Sequence, residues 1–396
     1  MDLNPTPKEV QFRKEVRSWL EANLPEGWGT PAFELPETLA EKITFARSWQ
    51  AKLYAGGWAG LTWPKEYGGR GAGIVDQLIF GEEYARAQAP DTVNVSVGTS
   101  LVGPTLIAQG TPAQQQRYLD KILSGEEIWC QGFSEPGAGS DLAALRTRGE
   151  VQSDEIVVTG QKIWTSFASE ADWCILIVRT DPNSERHQGL SFLLVDMQTP
   201  GITVRPLREM TGEAWFTEVF FDQVRVPREN VVGELGKGWD VIITTLMHER
   251  SATAGHVRMA SMQDKIASLA QSRLRNGRPA SKDPLVRQRL ARLAIDAAIL
   301  RYTVYRNVSR VQHGTAPGPE GSITKLFGSE LEQRMAVTAS ELLGPFGLLE
   351  EGAARAPEDG QWAYELLWSR AATIYAGTSQ IQRNIIAERV LGLPRA

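Results

Sequence analysis

Two cysteines and four histidines are all that this chain of 396 residues contains. That shortage excludes a cysteine-rich zinc site. Neither HExxH nor any other metal-ligand spacing is found, so no metal is expected. Cys130 and Cys174 each sit in an apolar, strand-like segment, which predicts buried thiols rather than a disulfide and fits a reducing compartment. No apolar run reaches the length of a membrane span. The polar N-terminus carries acids early, at Asp2 and Glu9, unlike a secretory signal. Positive charge is also short. The formal net charge is −5, which argues against nonspecific nucleic-acid binding and against a membrane-surface role. The expectation is a cytoplasmic protein with neither nucleic acid nor membrane as a partner.

What is present divides into three zones, and the length suits two or three domains. Residues 1–125 read as helices at Thr6–Ala22, Leu39–Ala55 and Val75–Ala87, separated by Gly/Pro-rich loops. Residues 126–235 carry short β-rich runs with turn signals between them and no long helix, which predicts an antiparallel sheet or barrel rather than a βαβ array. From residue 236 to 396 the helical period returns, in Trp239–Arg275, Pro284–Val311, Ser322–Leu343 and Ile374–Leu391. The predicted class is α+β, with an N-terminal helical domain, a middle antiparallel β-domain and a C-terminal helical domain. Gly69, Gly71 and Gly73 lack both the spacing and the preceding strand of a dinucleotide fingerprint.

One carboxylate stands out. At helical spacing Ile242, Leu246, Glu249, Thr253, Val257 and Ala260 share a face within a single helix predicted over Trp239–Ala270. An acid on that apolar stripe loses solvation, and its pKa rises towards neutrality, as suits a proton acceptor from carbon. Arg250 follows it, about 100° round the helix. On the helix alone, a structural ion pair with a distant arginine is the commoner explanation.

Three further stretches carry chemistry. In Ser134–Leu142, Pro136, Gly137 and Gly139 impose an irregular backbone with exposed N–H groups, and Ser140 and Asp141 offer N-cap chemistry to the residues that follow. Such a loop suits nucleotide phosphates and equally suits a capped tight turn. Lys162–Ser166 ends a strand and sets Trp164 beside hydroxyl groups, a wall for a planar heterocycle or, for one of twelve tryptophans, an anchor of the sheet core. Tyr375–Arg383 reads as a turn and helix start.

Together these pieces resemble the acyl-CoA dehydrogenase family over nearly the whole chain. The resemblance rests on Ser134-Glu135-Pro136-Gly137-Ala138-Gly139-Ser140-Asp141, on Trp164-Thr165-Ser166 and on Gly377-Thr378-Ser379-Gln380-Ile381-Gln382-Arg383. It implies a C-terminal four-helix bundle, FAD as cofactor and dehydrogenation of an acyl-CoA thioester to the trans-2-enoyl-CoA, with electrons passed to an electron-transfer flavoprotein. It also implies a tetramer. It places Gln131, Phe133 and Ser134 along the flavin ring, with Gly139 and Ser140 in the same FAD-binding stretch. Trp164 falls beside the ring face away from substrate, Ser166 near flavin N5, and Thr378 and Gln380 near the diphosphate and ribose. An arginine that meets the cofactor of a neighbouring subunit in the family corresponds to Arg273, within Arg273-Leu274-Arg275-Asn276-Gly277, where Asn276 replaces an aromatic residue.

Two departures qualify the match. The family's usual base position, just before the Gly-Thr-Ser-Gln turn, holds Ala376, and a methyl group accepts no proton. A minority of the family, similar to isovaleryl- and long-chain-type enzymes, carries the base on the first bundle helix before an arginine, and that position here is Glu249-Arg250. Glu249 is therefore the expected base, and Arg250, Ala376 and Gly377 are the expected substrate-side residues. In the family a backbone N–H at the Ala376 position and a ribityl hydroxyl of FAD hold the thioester carbonyl. The second departure is Glu341-Leu342-Leu343-Gly344-Pro345-Phe346-Gly347, where Glu341 replaces Gln and Pro345 replaces Gly near the adenosine end of FAD. An acid there is unhelpful unless neutralised. That pattern is similar to bacterial sterol side-chain CoA dehydrogenases, which include heterotetramers of related subunits with FAD in only some sites. The alternatives are an FAD-completing partner subunit and a flavin monooxygenase of the same fold.

Overall fold

The computed structural model describes residues 4–30, 32–92, 95–249, 255–315 and 318–394, with the backbone alone for His248 and Glu249. Arg250 lies outside the described residues. The chain forms two compact units, one of Leu20–Gly73 and Gln88–Glu249, the other of Met1–Trp19, Ile74–Ala87 and Arg250–Ala396.

The first unit is built on an eight-stranded sheet. Its strands are β1 (Trp129–Gly132), β2 (Arg148–Val151), β3 (Glu155–Ser166), β4 (Trp173–Arg179), β5 (Leu190–Asp196), β6 (Ile202–Leu207), β7 (Phe216–Pro227) and β8 (Val231–Val232). They run in the order β6-β7-β3-β2-β4-β5-β8, with β1 also beside β4. Most pairings are antiparallel, as expected, but β1–β4 and β2–β4 are parallel. β4 shows why the alternation rule does not reach this far. Cys174, Ile175, Leu176, Ile177 and Val178 are all fully buried, so both faces of the strand are covered and the period of two disappears. Cys130 and Cys174 face each other in register, both buried and free. The neighbouring Cys174 thiol, with burial added, pushes Cys130 well above the ordinary thiol range.

Two helices of this unit carry full capping boxes, Leu39–Ala55 on Thr38 and Glu41, and Pro112–Ser124 on Thr111 and Gln114. Each box satisfies two orphan N–H groups. The second helix, with Pro at its first turn, is absent from the periodicity expectation although its cap is written in the sequence. Buried Gln114 also donates to the Glu229 and Val231 carbonyls.

Of the single helix expected over Trp239–Ala270, the described residues give Gly238–Glu249 and Gly255–Ser272, and Thr253 of the expected stripe lies outside them. The buried side of the first holds Val241, Ile242 and Thr245, with Leu246 only half-buried. That of the second holds His256, Met259, Met262, Ile266 and Leu269. Ala260, on the expected stripe, is exposed. The stripe turned because polar groups joined the interior. The Thr245 hydroxyl meets the Thr105 hydroxyl at 2.9 Å inside the first unit, and apolar counting cannot foresee a satisfied pair of that kind.

In the second unit, helices Gly255–Ser272, Pro284–Gln312, Gly321–Leu343 and Gln361–Ala372 share one core, including Ile266, Leu300, Leu331, Met335 and Trp362. The fourth of these was not expected, because Leu366, Leu367 and Trp368 are consecutive and give no clean helical stripe. The last predicted segment, Ile374–Leu391, begins as a helix only at Ser379, where the Thr378 hydroxyl accepts from the Ile381 N–H. Among the described residues no helix is long and apolar enough to cross a membrane, and no cluster of His, Cys, Asp or Glu could hold a metal.

Candidate functional site

The expected site residues fall into two groups, one in each unit. In the sheet unit, the chain leaves β1 through Gln131, Phe133 and Ser134 and enters a tight turn in which Glu135 and Ala138 exchange two backbone hydrogen bonds of 3.0 Å. Pro136, Gly137, Gly139 and Ser140 are exposed. A Cβ added at Gly137 or Gly139 would meet nothing within 4 Å. Among the described residues the N–H groups of Gly137, Gly139 and Ser140 meet no acceptor. The capping role expected of Asp141 is not made. Asp141 precedes a three-residue 3-10 turn without a side-chain cap bond, and its carboxylate is exposed to solvent instead. What remains is an open strip of free backbone donors, suited to an anionic or polar ligand edge.

Beneath this strip lies a buried ion pair. Lys162 Nζ on β3 is 2.8 Å from Glu135 Oε1 and donates to the Phe133 carbonyl at 3.0 Å. Glu135 also accepts from the Arg146 and Thr147 N–H groups at 2.7 and 2.9 Å. Burial pushes the Glu135 carboxyl up, but the Lys162 charge and these hydrogen bonds outweigh it and hold it below the usual range. Burial pushes Lys162 down. Sequence reasoning missed both residues. The available signal was a lysine on a strand that begins with the apolar run Ile156-Val157-Val158.

Trp164 sits two residues beyond Lys162. The β3–β7 register shifts between Lys162 and Thr165, and Trp164 takes a left-handed φ of 61°. That conformation is an outlier for a bulky residue and costs on the order of 1–3 kcal/mol. It turns the indole out of the sheet, 58% exposed, with its edge on Phe216. Trp164 is therefore not a core anchor; it is a presented flat surface. Ser166 is half-buried at the strand end, and the Thr165 hydroxyl beside it is buried without a partner among the described residues. Phe133 turns inward, edge-on to Phe192, so only its backbone faces the strip. Gln131 and Ser134 are half-buried, and the Ser134 carbonyl accepts from Ile163 N–H at 2.9 Å.

In the other unit, Ala376 and Gly377 form a turn with φ of 50° and 85°. Thr378 follows as the N-cap, and Gln380 is exposed. Thr378, Ser379 and Gln380 line a cavity of about 770 Å³ together with Arg289, Arg292, Arg334 and Arg370. Arg370 Nη2 and the Ser379 hydroxyl are buried there without partners among the described residues. Glu341 also lines it, and pairs with Arg289, which neutralises the acid noted in the sequence. Arg273 follows the helix Gly255–Ser272, its Nε buried and without a partner among the described residues. Asn276 and Gly277, with φ of 53° and 74°, turn a two-residue hairpin there. Both central residues of such a turn need positive φ, so Asn276 serves the backbone. Glu249 lies on the helix Gly238–Glu249, four positions beyond buried Thr245.

Each group by itself suits a part of FAD on chemical grounds. The exposed indole and free N–H strip suit a planar ring system, and the arginine-lined cavity with orphaned donors suits phosphate oxygens. The family models for the acyl-CoA dehydrogenase N-terminal, middle and C-terminal domains match residues 6–126, 130–224 and 236–391. The chain is 43% identical to acyl-CoA dehydrogenase IpdE1 of Mycolicibacterium smegmatis, over 98% of each chain. A steroid ACAD, Tcur3481-Tcur3483, is similar in structure with a TM-score of 0.85 at 32% identity, covering 100% of both chains. The ChsE4-ChsE5 complex from Mycobacterium tuberculosis is similar with a TM-score of 0.84 at 33% identity, again over 100% of both chains. With all three domains matched in order along its length, this chain belongs to the acyl-CoA dehydrogenase family of FAD-carrying oxidoreductases.

Proposed function

We propose that the chain dehydrogenates a bulky, ring-bearing acyl-CoA to the trans-2-enoyl-CoA, with Glu249 as the base. The steroid ACAD among its structural relatives supports the acyl class. The observation that carries the choice of base is the turn at Ala376. Its side chain cannot accept a proton, while its backbone N–H is free among the described residues. The proton must go elsewhere, and Glu249 lies on a helix four positions beyond buried Thr245. Glu249 takes the α-proton, the Ala376 N–H donates to the thioester carbonyl as negative charge develops there, and Arg250 and Gly377 flank the substrate. FAD, when bound, accepts the β-hydride. Gln131, Phe133, Ser134, Gly139, Ser140, Trp164 and Ser166 border the flavin, and Arg273, Thr378 and Gln380 reach towards its phosphates. The electrons pass to an electron-transfer flavoprotein. We place the domain limits at 1–125, 126–235 and 236–396.

The test is anaerobic bleaching of the flavin by a panel of acyl-CoAs. Glu249→Gln keeps its FAD and loses bleaching by about 10²-fold or more. Bleaching of that variant at the wild-type rate removes Glu249 from the role.

A second reading is a heterotetramer in which this chain completes the FAD site of a related subunit. Pro345 and Glu341 favour it, and the ChsE4-ChsE5 relative is a complex of two chains. The Arg289–Glu341 pair favours a self-sufficient homotetramer. A stable yellow protein from this chain alone supports the latter, and a colourless one the former.

A further inference from the structure

Two side chains hold the Ala376–Gly377 turn from behind. Lys325 Nζ donates to the Gly377 carbonyl at 2.7 Å and to the Ala372 carbonyl at 3.1 Å. Gln382 Nε2 donates to the Ala376 carbonyl at 2.8 Å and to the Gly377 carbonyl at 3.2 Å. Gln382 is fully buried. The fit is close, since a Cβ on Gly377 would come within 2.6 Å of Gln382 Nε2. Ala376 is held at a left-handed φ of 50°, a conformation that persists in a non-glycine residue only when its surroundings over-determine it. Here the surroundings are these two donors.

The consequence is an orientation. In a trans peptide the N–H points opposite the C=O. Drawing the Ala376 carbonyl inward turns the Gly377 N–H outward, and the fixed φ of Ala376 sets the direction of its own N–H. Among the described residues neither N–H meets an acceptor, while Ala376 is exposed and Gly377 half-exposed. The turn thus holds both carbonyls inward and the Gly377 N–H outward, and the Ala376 N–H stands free beside it among the described residues. A lysine ammonium stands directly behind it, 5.8 Å from the Tyr375 ring on the same segment. A preorganised set of donors backed by a positive charge suits an oxygen that becomes negative.

We propose that Lys325 and Gln382 are positioning residues that aim the Ala376 and Gly377 N–H groups at the thioester carbonyl oxygen. Lys325 acts through the turn and touches no reacting atom. Its charge adds to the field in which the carbonyl is polarised. The assignment of that oxygen rests on the dehydrogenase reading above. The brace itself is a property of this unit and can be measured without turnover.

The experiment uses the FAD-loaded protein and 3-cyclohexylpropanoyl-CoA labelled with ¹³C at the thioester carbonyl. Difference infrared spectroscopy follows the carbonyl band on binding, and anaerobic bleaching follows the chemistry. In the wild type the band moves to lower wavenumber. Lys325→Met loses most of that shift and bleaches on the order of 10²-fold more slowly, with FAD content and probe affinity at the wild-type level. Lys325→Arg, which keeps a cation and donors, retains much of the shift. Gln382→Met gives an independent variant with the expected behaviour of Lys325→Met, should the latter fold poorly. A full band shift in both Lys325→Met and Gln382→Met overturns the proposal, as does a wild-type protein that binds the probe with no shift. A wild type that shifts the band without bleaching, with the shift lost in the variants, removes the dehydrogenase reading and leaves the brace standing.

Discussion

Lys162 and Glu135 form an ion pair of 2.8 Å in which the lysine side chain is fully buried and the carboxylate is 8% exposed. Taking two charges out of water costs several kcal/mol per ion, and the mutual attraction repays it only with good geometry and further hydrogen bonds. Those bonds exist. Glu135 takes two backbone N–H groups, and Lys162 takes the Phe133 carbonyl. The pair fastens the start of the Ser134–Asp141 loop to the strand that presents Trp164, and Glu135 ties it also to Arg146 and Thr147 further along the chain.

Lys162→Met should therefore destabilise the protein by about 3–5 kcal/mol, because the Glu135 carboxylate is left buried without its partner. Denaturant unfolding measures this. Adding Glu135→Gln should recover a large part of the loss, since an uncharged side chain still accepts from the loop N–H groups. A double variant no better than the single would show that the pair is not the source of the cost.

Trp164 and Gly139 separate folding from cofactor binding. The indole is mostly exposed, and Gly139 has open space where a Cβ would go. Trp164→Ala and Gly139→Ala should each change unfolding free energy by no more than about 0.5 kcal/mol, as exposed positions do. Both should weaken FAD retention, followed by flavin fluorescence on dilution, the first by losing a stacking face and the second by blocking close approach to the backbone. Retention equal to wild type in both would remove this strip from the cofactor site.

A third test concerns acid stability. Glu82 in the bundle unit accepts from Arg13 at 2.6 Å, from Tyr305 at 2.6 Å, and lies 3.2 Å from His256 Nε2. Burial acts to raise its pKa, but hydrogen bonds from His256, Tyr305 and Arg13, with the Arg13 charge, lower it to about 2. A depressed carboxylate pKa contributes stability above the unfolded value, and that stability is lost as pH falls through the folded one. The model-compound value is 4.5, so the loss falls between about pH 4.5 and 2. Glu82→Gln should be less stable than wild type at pH 6, with the gap in Tm closing across that window. A gap independent of pH would mean that the carboxylate is not ionised in the folded protein.

Much of this protein was readable from residue order alone. Capping chemistry and apolar period set the helices Leu39–Ala55 and Pro284–Gln312 close to their observed ends, because such signals act within a few residues of each other. The Ser134–Asp141 and Gly377–Arg383 motifs announced an irregular turn and a helix start for the same reason, since the glycines, proline and N-cap threonine impose local backbone shapes. Tertiary structure decided what depends on residues distant along the chain. It set two parallel pairings on β4, turned Trp164 outward at a shifted register, and moved the buried side of Gly238–Glu249 towards Thr245 by pairing it with Thr105. It also joined Lys162 to Glu135, Arg289 to Glu341 and Lys325 to Gly377 across 27, 52 and 52 positions. Charge and hydrogen-bond partners of that kind are chosen by distance in space, and local propensity carries no information about them.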